Sequence, residues 1–166
     1  RVVFSSILMV GILLVFASIA VAEEEQPLSD WQVRTITTPV KGAAPSFISA
    51  DGSLIAWTGA TPSGSRTYVF DMATGINTAI PHTLPGSYYN PCIDGSFVVF
   101  QGGRLGAYDD IYLYDVGRDH ITQITSNTGS GDGNDWDPRV EGRRVVWERD
   151  GRVGTAQAGI YLYDMD

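Results

Sequence analysis

Past residue 22 no segment keeps apolar residues at helical spacing over three turns. The apolar residues fall in short runs separated by Gly, Asp, Asn and Pro. "LIAWTG", "FVVFQG" and "RVVWER" are apolar runs that each follow a Gly turn. "TYVFD", "IYLYD" and a second "IYLYD" are β-branched and aromatic and end on Asp. "NTAI" and "ITQIT" alternate Thr or Gln with Ile, and "PSFI", "PCID" and "PRVE" are short stretches opening on Pro, which suits the first residue of a strand. Every run predicts a strand, and the chain reads as all-β.

The runs recur in a fixed order. Pro45, Pro91 and Pro138 stand 46 and 47 residues apart. Gly52, Gly95 and Gly142 each precede a large aromatic by five residues: Trp57, Phe100 and Trp147. Tyr68, Tyr112 and Tyr161 each precede an aspartate by three: Asp71, Asp115 and Asp164. A period of this length marks stacked supersecondary units. Four short strands per copy, joined by tight turns, predict β-propeller blades. The apolar second and third strands suit the interior of a blade, the Thr-rich fourth its wet outer edge, and the recurring aromatic the space between blades. Blades are expected at about residues 44–81, 90–125 and 137–166, preceded by an orphan outer strand at 32–38. About three blades leave the ring incomplete. The third copy stops after its third strand, so the sequence is expected to continue. Copy one has seven residues from Pro to Gly where the others have four, which reads as an insertion.

"SADGSLIAW", "GSFVVF", "DIYLYDV" and "GRRVVWERDG" with "IYLYDM" resemble the blades of TolB-like β-propellers. The likeness is nearest to secreted, surface-associated members common in methanogenic archaea, and it covers residues 32–166. It implies a propeller fold, an extracytoplasmic location and a binding rather than catalytic role.

The N-terminal end changes the picture in the same direction. Arg1 is followed by an uncharged apolar run that ends with Ala20 and Ala22 before three glutamates. This reads as a secretory signal cleaved after Ala22, with an uncleaved membrane anchor as the alternative. The first residue is Arg rather than Met, so the recorded start is expected to be incomplete. Residues 23–31 read as a linker. A formal charge of −8 and a pI near 4.6 oppose nucleic-acid binding. A single cysteine, Cys92, excludes an intrachain disulfide and reads as a small core residue.

Candidate chemistry is sparse. Asp132, Asn134, Asp135 and Asp137 crowd one loop and offer the hard oxygen ligands calcium prefers. Counted from Asp132, however, the EF-hand spacing fails. Asp137 also takes the place of Asn90 and Ala44 just before each Pro, where an Asx residue favours a turn. Asp132, Asp135 and Asp137 therefore stand as candidate calcium ligands against a structural-turn reading, and no other cofactor is expected. Asn90 and Asp137 would lie near the mouth of the central channel and are the ligand-binding candidates. The recurring Asp71, Asp115 and Asp164 read as turn residues, and Asp109 and Asp110 as a pair pointing apart. His82 and His120 read as solvated turn residues. There is no G-x-S-x-G. The expected function is a non-catalytic extracellular module binding a protein or a carbohydrate at the cell surface, touching membrane only through its N-terminal segment. The alternative is the propeller of a secreted peptidase or polysaccharide lyase with its catalytic part elsewhere. Exposed end blades give oligomerisation as a further expectation.

Overall fold

The structure is a computed structural model that describes residues 45–82, 86–103, 108–127, 133–151 and 157–166. The expected leader, linker and orphan strand lie outside the described residues. Among the described residues all the elements are strands. Blade 1 is an antiparallel sheet of β1 (Pro45–Asp51), β2 (Leu54–Thr61), β3 (Gly64–Asp71) and β4 (Ile76–Ala79), in that order. Blade 2 repeats it with β5 (Ser87–Asp94), β6 (Phe97–Gly103), β7 (Asp110–Asp115) and β8 (His120–Gln123). Blade 3 has β9 (Asp135–Glu141), β10 (Arg144–Arg149) and β11 (Gly159–Asp164), with β10 in the middle. This is the all-β propeller architecture that the repeat predicts.

The anchors of the repeat explain themselves in pairs. Trp57 is the cross-strand partner of Tyr68, Phe100 of Tyr112 and Trp147 of Tyr161. Each pair stacks, with centroids 4.6, 5.6 and 5.8 Å apart. Such pairs are the unit from which a sheet face gains its stability. Gly52, Gly95 and Gly142 take the first of two central hairpin positions with φ of 53°, 55° and 57°, backbone that glycine adopts without strain. Asp71 accepts hydrogen bonds from the Ala73 N–H and the Thr74 hydroxyl, which hold its carboxyl below the usual range. Asp115 likewise holds the Arg118 N–H and guanidinium. The YD aspartates close turns.

Two cores lie between the blades. Ala56, Val69 and Ile80 of blade 1 meet Tyr88, Val98, Phe100 and Tyr112 of blade 2. Val99, Ile111 and Leu113, on the other face of blade 2, meet Val140, Val145 and Trp147 of blade 3. β4 and β8 lie at the outer edges and are largely exposed.

Two expectations fail. Pro91 and Pro138 do not start strands: β5 begins at Ser87 and β9 at Asp135. Each proline sits beside a β-bulge, where the missing N–H costs no ladder bond. The apparent insertion in copy one also dissolves. The bulge residues are Phe47, Asn90 and Asp137, each five residues before its turn glycine. Phe47, not Ala44, is thus the counterpart of Asn90 and Asp137, and Pro45 is not the counterpart of the other two prolines.

Candidate functional site

β1 packs beside β5 and β5 beside β9, so the first strands of the blades form one inner wall. Phe47, Asn90 and Asp137 stand at the same height on it, with φ of 49°, 55° and 49°. Each belongs to a bulge where two residues oppose the anchor aromatic of the neighbouring strand. Asn and Asp tolerate the left-handed region; a Phe there is an outlier. The left-handed bulge position recurs in all three blades, strained where it carries Phe47, and a bulge of this kind re-aims a side chain. Phe47 and Asp137 are exposed and Asn90 is half-buried.

A polar network supports this tier. Asn90 Nδ2 donates to Asp137 Oδ1 at 2.6 Å and to Gln101 Oε1 at 3.1 Å. The Asp137 backbone N–H donates to the same Gln101 oxygen at 2.8 Å. Gln101 Nε2 lies 3.5 Å from Asp109 Oδ2, which also accepts from the Tyr89 hydroxyl at 2.5 Å. Burial, and then this carboxylate, push the Tyr89 phenol up to about 12, so it stays protonated and donates. The Tyr89 ring lies 6.1 Å from that of Phe47. Below the tier a cavity of about 260 Å³ opens between Phe47, Asn90, Cys92 and Arg139. The site thus offers one exposed aromatic, one amide, one carboxylate and one guanidinium on a rigid wall.

Asn90 and Asp137, the two ligand-binding candidates, are brought into direct hydrogen-bond contact on the inner wall. Gln101, the hub between them, and Tyr89, Asp109 and Phe47 were not singled out for this site from sequence. Gln101 carried a signal, being the one polar residue of "FVVFQ", in an inner strand. Phe47 carried none, because its proline-based alignment was wrong.

Of the three candidate calcium ligands, two lie among the described residues, and both are engaged by protein donors. Asp132 lies outside the described residues. Asp135 is fully buried, and each of its oxygens accepts two hydrogen bonds. Oδ1 takes Trp147 Nε1 at 3.0 Å and Arg149 Nε at 2.7 Å. Oδ2 takes Asn127 Nδ2 at 2.8 Å and an Arg149 Nη2 at 2.7 Å. All the acceptor positions of an ionised carboxylate are filled. Asp137 turns instead to Asn90, and among the described residues no three His, Cys, Asp or Glu side chains converge on a metal position.

Asp109 and Asp110 point apart. Asp109 serves the inner-wall network, while Asp110 accepts from the Asn127 N–H, Gln123 and Thr125, and burial pushes its carboxyl up. His120 is exposed. His82 corrects the expectation of a solvated turn residue. Its ring stacks on Tyr88 at 3.9 Å and meets Phe100 edge-on, both nitrogens are buried without a hydrogen-bond partner, and burial lowers it to about 4.

A chain from Agrobacterium tumefaciens assigned as TolB matches this structure with a TM-score of 0.56 and 23% identity, over 78% of this chain and 48% of that one. TolB from Acinetobacter baumannii gives 0.48 and 21%, over 74% and 30%. This chain therefore spans less than half the length of either. No family model and no curated protein matches. The first likeness is one of fold: the blades are arranged as in the β-propeller of that TolB chain.

Proposed function

We propose that this chain is part of a non-catalytic β-propeller module that binds a protein partner through the bulge tier of its inner wall. The observation that carries the reading is the tier itself. Three unlike side chains, Phe47, Asn90 and Asp137, occupy one equivalent position in left-handed backbone that only the surrounding structure sustains. Asn90 and Asp137 are of the types such backbone accepts, but folding alone gives no reason to hold Phe47 there. Rigid presentation of an aromatic beside polar groups is what a protein-recognition surface requires. The leader-like residues 1–22 support export, and the blade sequences support a surface-associated propeller of archaeal type. A carbohydrate is the other ligand class that such a surface suits.

The test is affinity capture from the envelope of the source cells with the wild type and a Phe47→Ala/Asp137→Ala variant. The reading expects a protein retained by the first and lost by the second, with both melting alike. Retention of the same protein by both variants refutes the tier as the binding surface. Binding only to immobilised carbohydrate replaces protein by glycan.

A further inference from the structure

Between blades 1 and 2, all eight strands of which are described, the connecting chain carries a histidine into the junction. Ile80 is fully buried, and its N–H donates to the Thr67 carbonyl at 3.0 Å, which ties the chain leaving β4 back to β3. Two residues on, the His82 ring lies flat on Tyr88, with centroids 3.9 Å apart and planes within 1°, and meets Phe100 edge-on at 5.5 Å. Both its nitrogens are buried without a hydrogen-bond partner. So is Thr58 Oγ1, on the strand face that Ala56 turns to the same junction.

The groups around the ring oppose a proton on it. β3 contributes the Arg66 guanidinium, β5 the Tyr88 phenol and β6 the Phe100 ring. Behind Tyr88 lies the Tyr112 phenol of β7, which burial pushes up. A neutral imidazole is tolerated there, whereas an imidazolium would bury two donors without acceptors beside a like charge. Burial, and then Arg66, hold His82 down at about 4. The other histidine, His120, is exposed on β8 opposite Asp115.

The two junctions respond differently to acid. The first is an apolar cluster crossed by hydrogen bonds, with Thr67 Oγ1 donating to the Tyr88 carbonyl at 3.3 Å, the Ile93 N–H to Ser49 Oγ at 3.1 Å and the Gly95 N–H to Asp51 at 2.6 Å. The salt bridges of Arg118, Arg143, Arg144 and Arg149 all lie in blades 2 and 3. At the second junction Asp135, Arg149 and Asn127 stand where the first has its histidine stack. Phe47 belongs to blade 1, while Asn90 and Asp137 hold each other across the second junction at 2.6 Å.

We propose that the junction of blades 1 and 2 is an acid-sensitive hinge, in which a proton on His82 breaks the stack on Tyr88, admits water between the blades and parts Phe47 from Asn90 and Asp137. The hinge stands apart from whatever the inner wall binds; its consequence for that surface rests on the binding reading. The open ring returns to its ordinary 6.5 while the closed ring stays at about 4, so opening is favoured as pH falls through 6.5 and the gain is complete below 4. From pH 7 to pH 5 the ratio of open to closed should rise about twentyfold.

Amide hydrogen exchange on the 166-residue chain reads that ratio at single residues, with no partner present, so the hinge and the binding reading can fail separately. The Gly95 and Ile93 N–H groups report on the first junction. The Gly142 N–H, which Asp94 accepts, reports on the second through the same kind of bond as Gly95 to Asp51, so titration of a turn aspartate cancels between them. Corrected for the chemical rate at each pH, protection of Gly95 and Ile93 should fall about twentyfold from pH 7 to pH 5, while that of Gly142 holds within about twofold. His82→Phe, which keeps a ring on Tyr88, should abolish the fall. Ring-proton NMR of the wild type should place the titration of His82 near 4, which keeps the test decisive if that variant does not fold. Protection that stays constant at Gly95 overturns the proposal, and so does an equal fall at Gly142, which would be global unfolding. A fall that persists in His82→Phe, or a His82 that titrates at 6.5 in the closed protein, overturns it as well.

Discussion

Asp135→Ala tests the assignment of the acidic loop most directly. The side chain is fully buried and receives four hydrogen bonds, two from Arg149, one from Trp147 and one from Asn127. Asn127 lies beyond β8 and Asp135 in β9, so the carboxylate ties blade 2 to blade 3. Removing one partner of a buried pair costs about 3–5 kcal/mol, because the other charge is left uncompensated. Arg149 keeps 22% of its side chain in water and also lies over the Tyr161 ring at 4.7 Å, which soften that loss. The expected cost is therefore near the lower end, about 3 kcal/mol. Urea denaturation followed by tryptophan fluorescence measures it, with the m-value checked for constancy. Arg149→Met should restore part of the loss in the Asp135→Ala background, since the unpaired cation is then gone; a double-mutant cycle gives the coupling. A cost of Asp135→Ala below about 1 kcal/mol would refute the reasoning, because it would put this carboxylate in the range of a solvated surface residue.

Trp147→Ala should cost about 3–5 kcal/mol, as for other buried aromatics, whereas Trp147→Phe, the residue that blade 2 carries at this position, should lose chiefly the indole hydrogen bond to the Asp135 carboxylate, about 1.5–3 kcal/mol. Urea melts of both variants check the pair. His82 is held neutral in the fold, with its value lowered from 6.5 to about 4, so the native state binds fewer protons than the unfolded chain between those values. Its contribution is complete above about pH 6.5 and is lost as pH falls toward 4; His82→Phe should flatten that part of the profile, and an unchanged slope would contradict the placement. About 1 mM calcium, the range in which weak extracellular sites fill, should leave the melting temperature of the wild type unmoved if Asp135 serves as an anchor. A calcium-dependent rise that disappears in Asp137→Ala would return the loop to a metal site.

The blades were legible because their signals are local. Each turn glycine, each stacked aromatic and each closing aspartate sits at a fixed spacing, and period-2 strands on a 46-residue repeat admit few other folds. What misled was proline. Pro91 and Pro138 read as strand starts because a proline inside a ladder is normally forbidden, and only the bulge lifts that prohibition. The same error hid Phe47, whose position becomes clear when the copies are aligned on glycine instead. Asp135 and Asp137 looked alike as candidate ligands, two residues apart on one strand. The bulge at Asp137 and the cation directly across the ladder at Arg149 separate them into a surface group and a buried anchor, and neither fact is local in sequence. His82 was misjudged for a related reason: its burial comes from Tyr88 and Phe100, which lie on the next blade.

The two junctions share their frame but not their chemistry, and this difference has a consequence for assembly. Tyr88 and Gly102 are cross-strand partners in blade 2, and Asp135 and Arg149 are the partners at the same place in blade 3. A Cβ on Gly102 would lie 2.4 Å from the Ser87 carbonyl oxygen, 2.6 Å from the Tyr88 ring and 2.8 Å from the Tyr88 Cα, so the backbone and the ring both require the glycine. Asp135 requires Arg149, because a buried carboxylate without a cation is expensive. One junction is closed by an aromatic stack with His82 and the other by an ion pair, so a blade docked out of order would bury a charge against an aromatic. Repulsion of that kind is how repeated units keep their sequence. Tyr88→Asp alone should therefore destabilise by stranding a carboxylate, and Gly102→Arg alone by colliding with the ring and with the Ser87 carbonyl, of which only the first collision is relieved in the double variant. Tyr88→Asp with Gly102→Arg rebuilds the pair found in blade 3, and should cost less than the sum of the single changes by about 0.5–3 kcal/mol. Urea melts of the four proteins decide it: strict additivity would mean that the two residues at each place are not a unit, and that the order of the blades is set elsewhere.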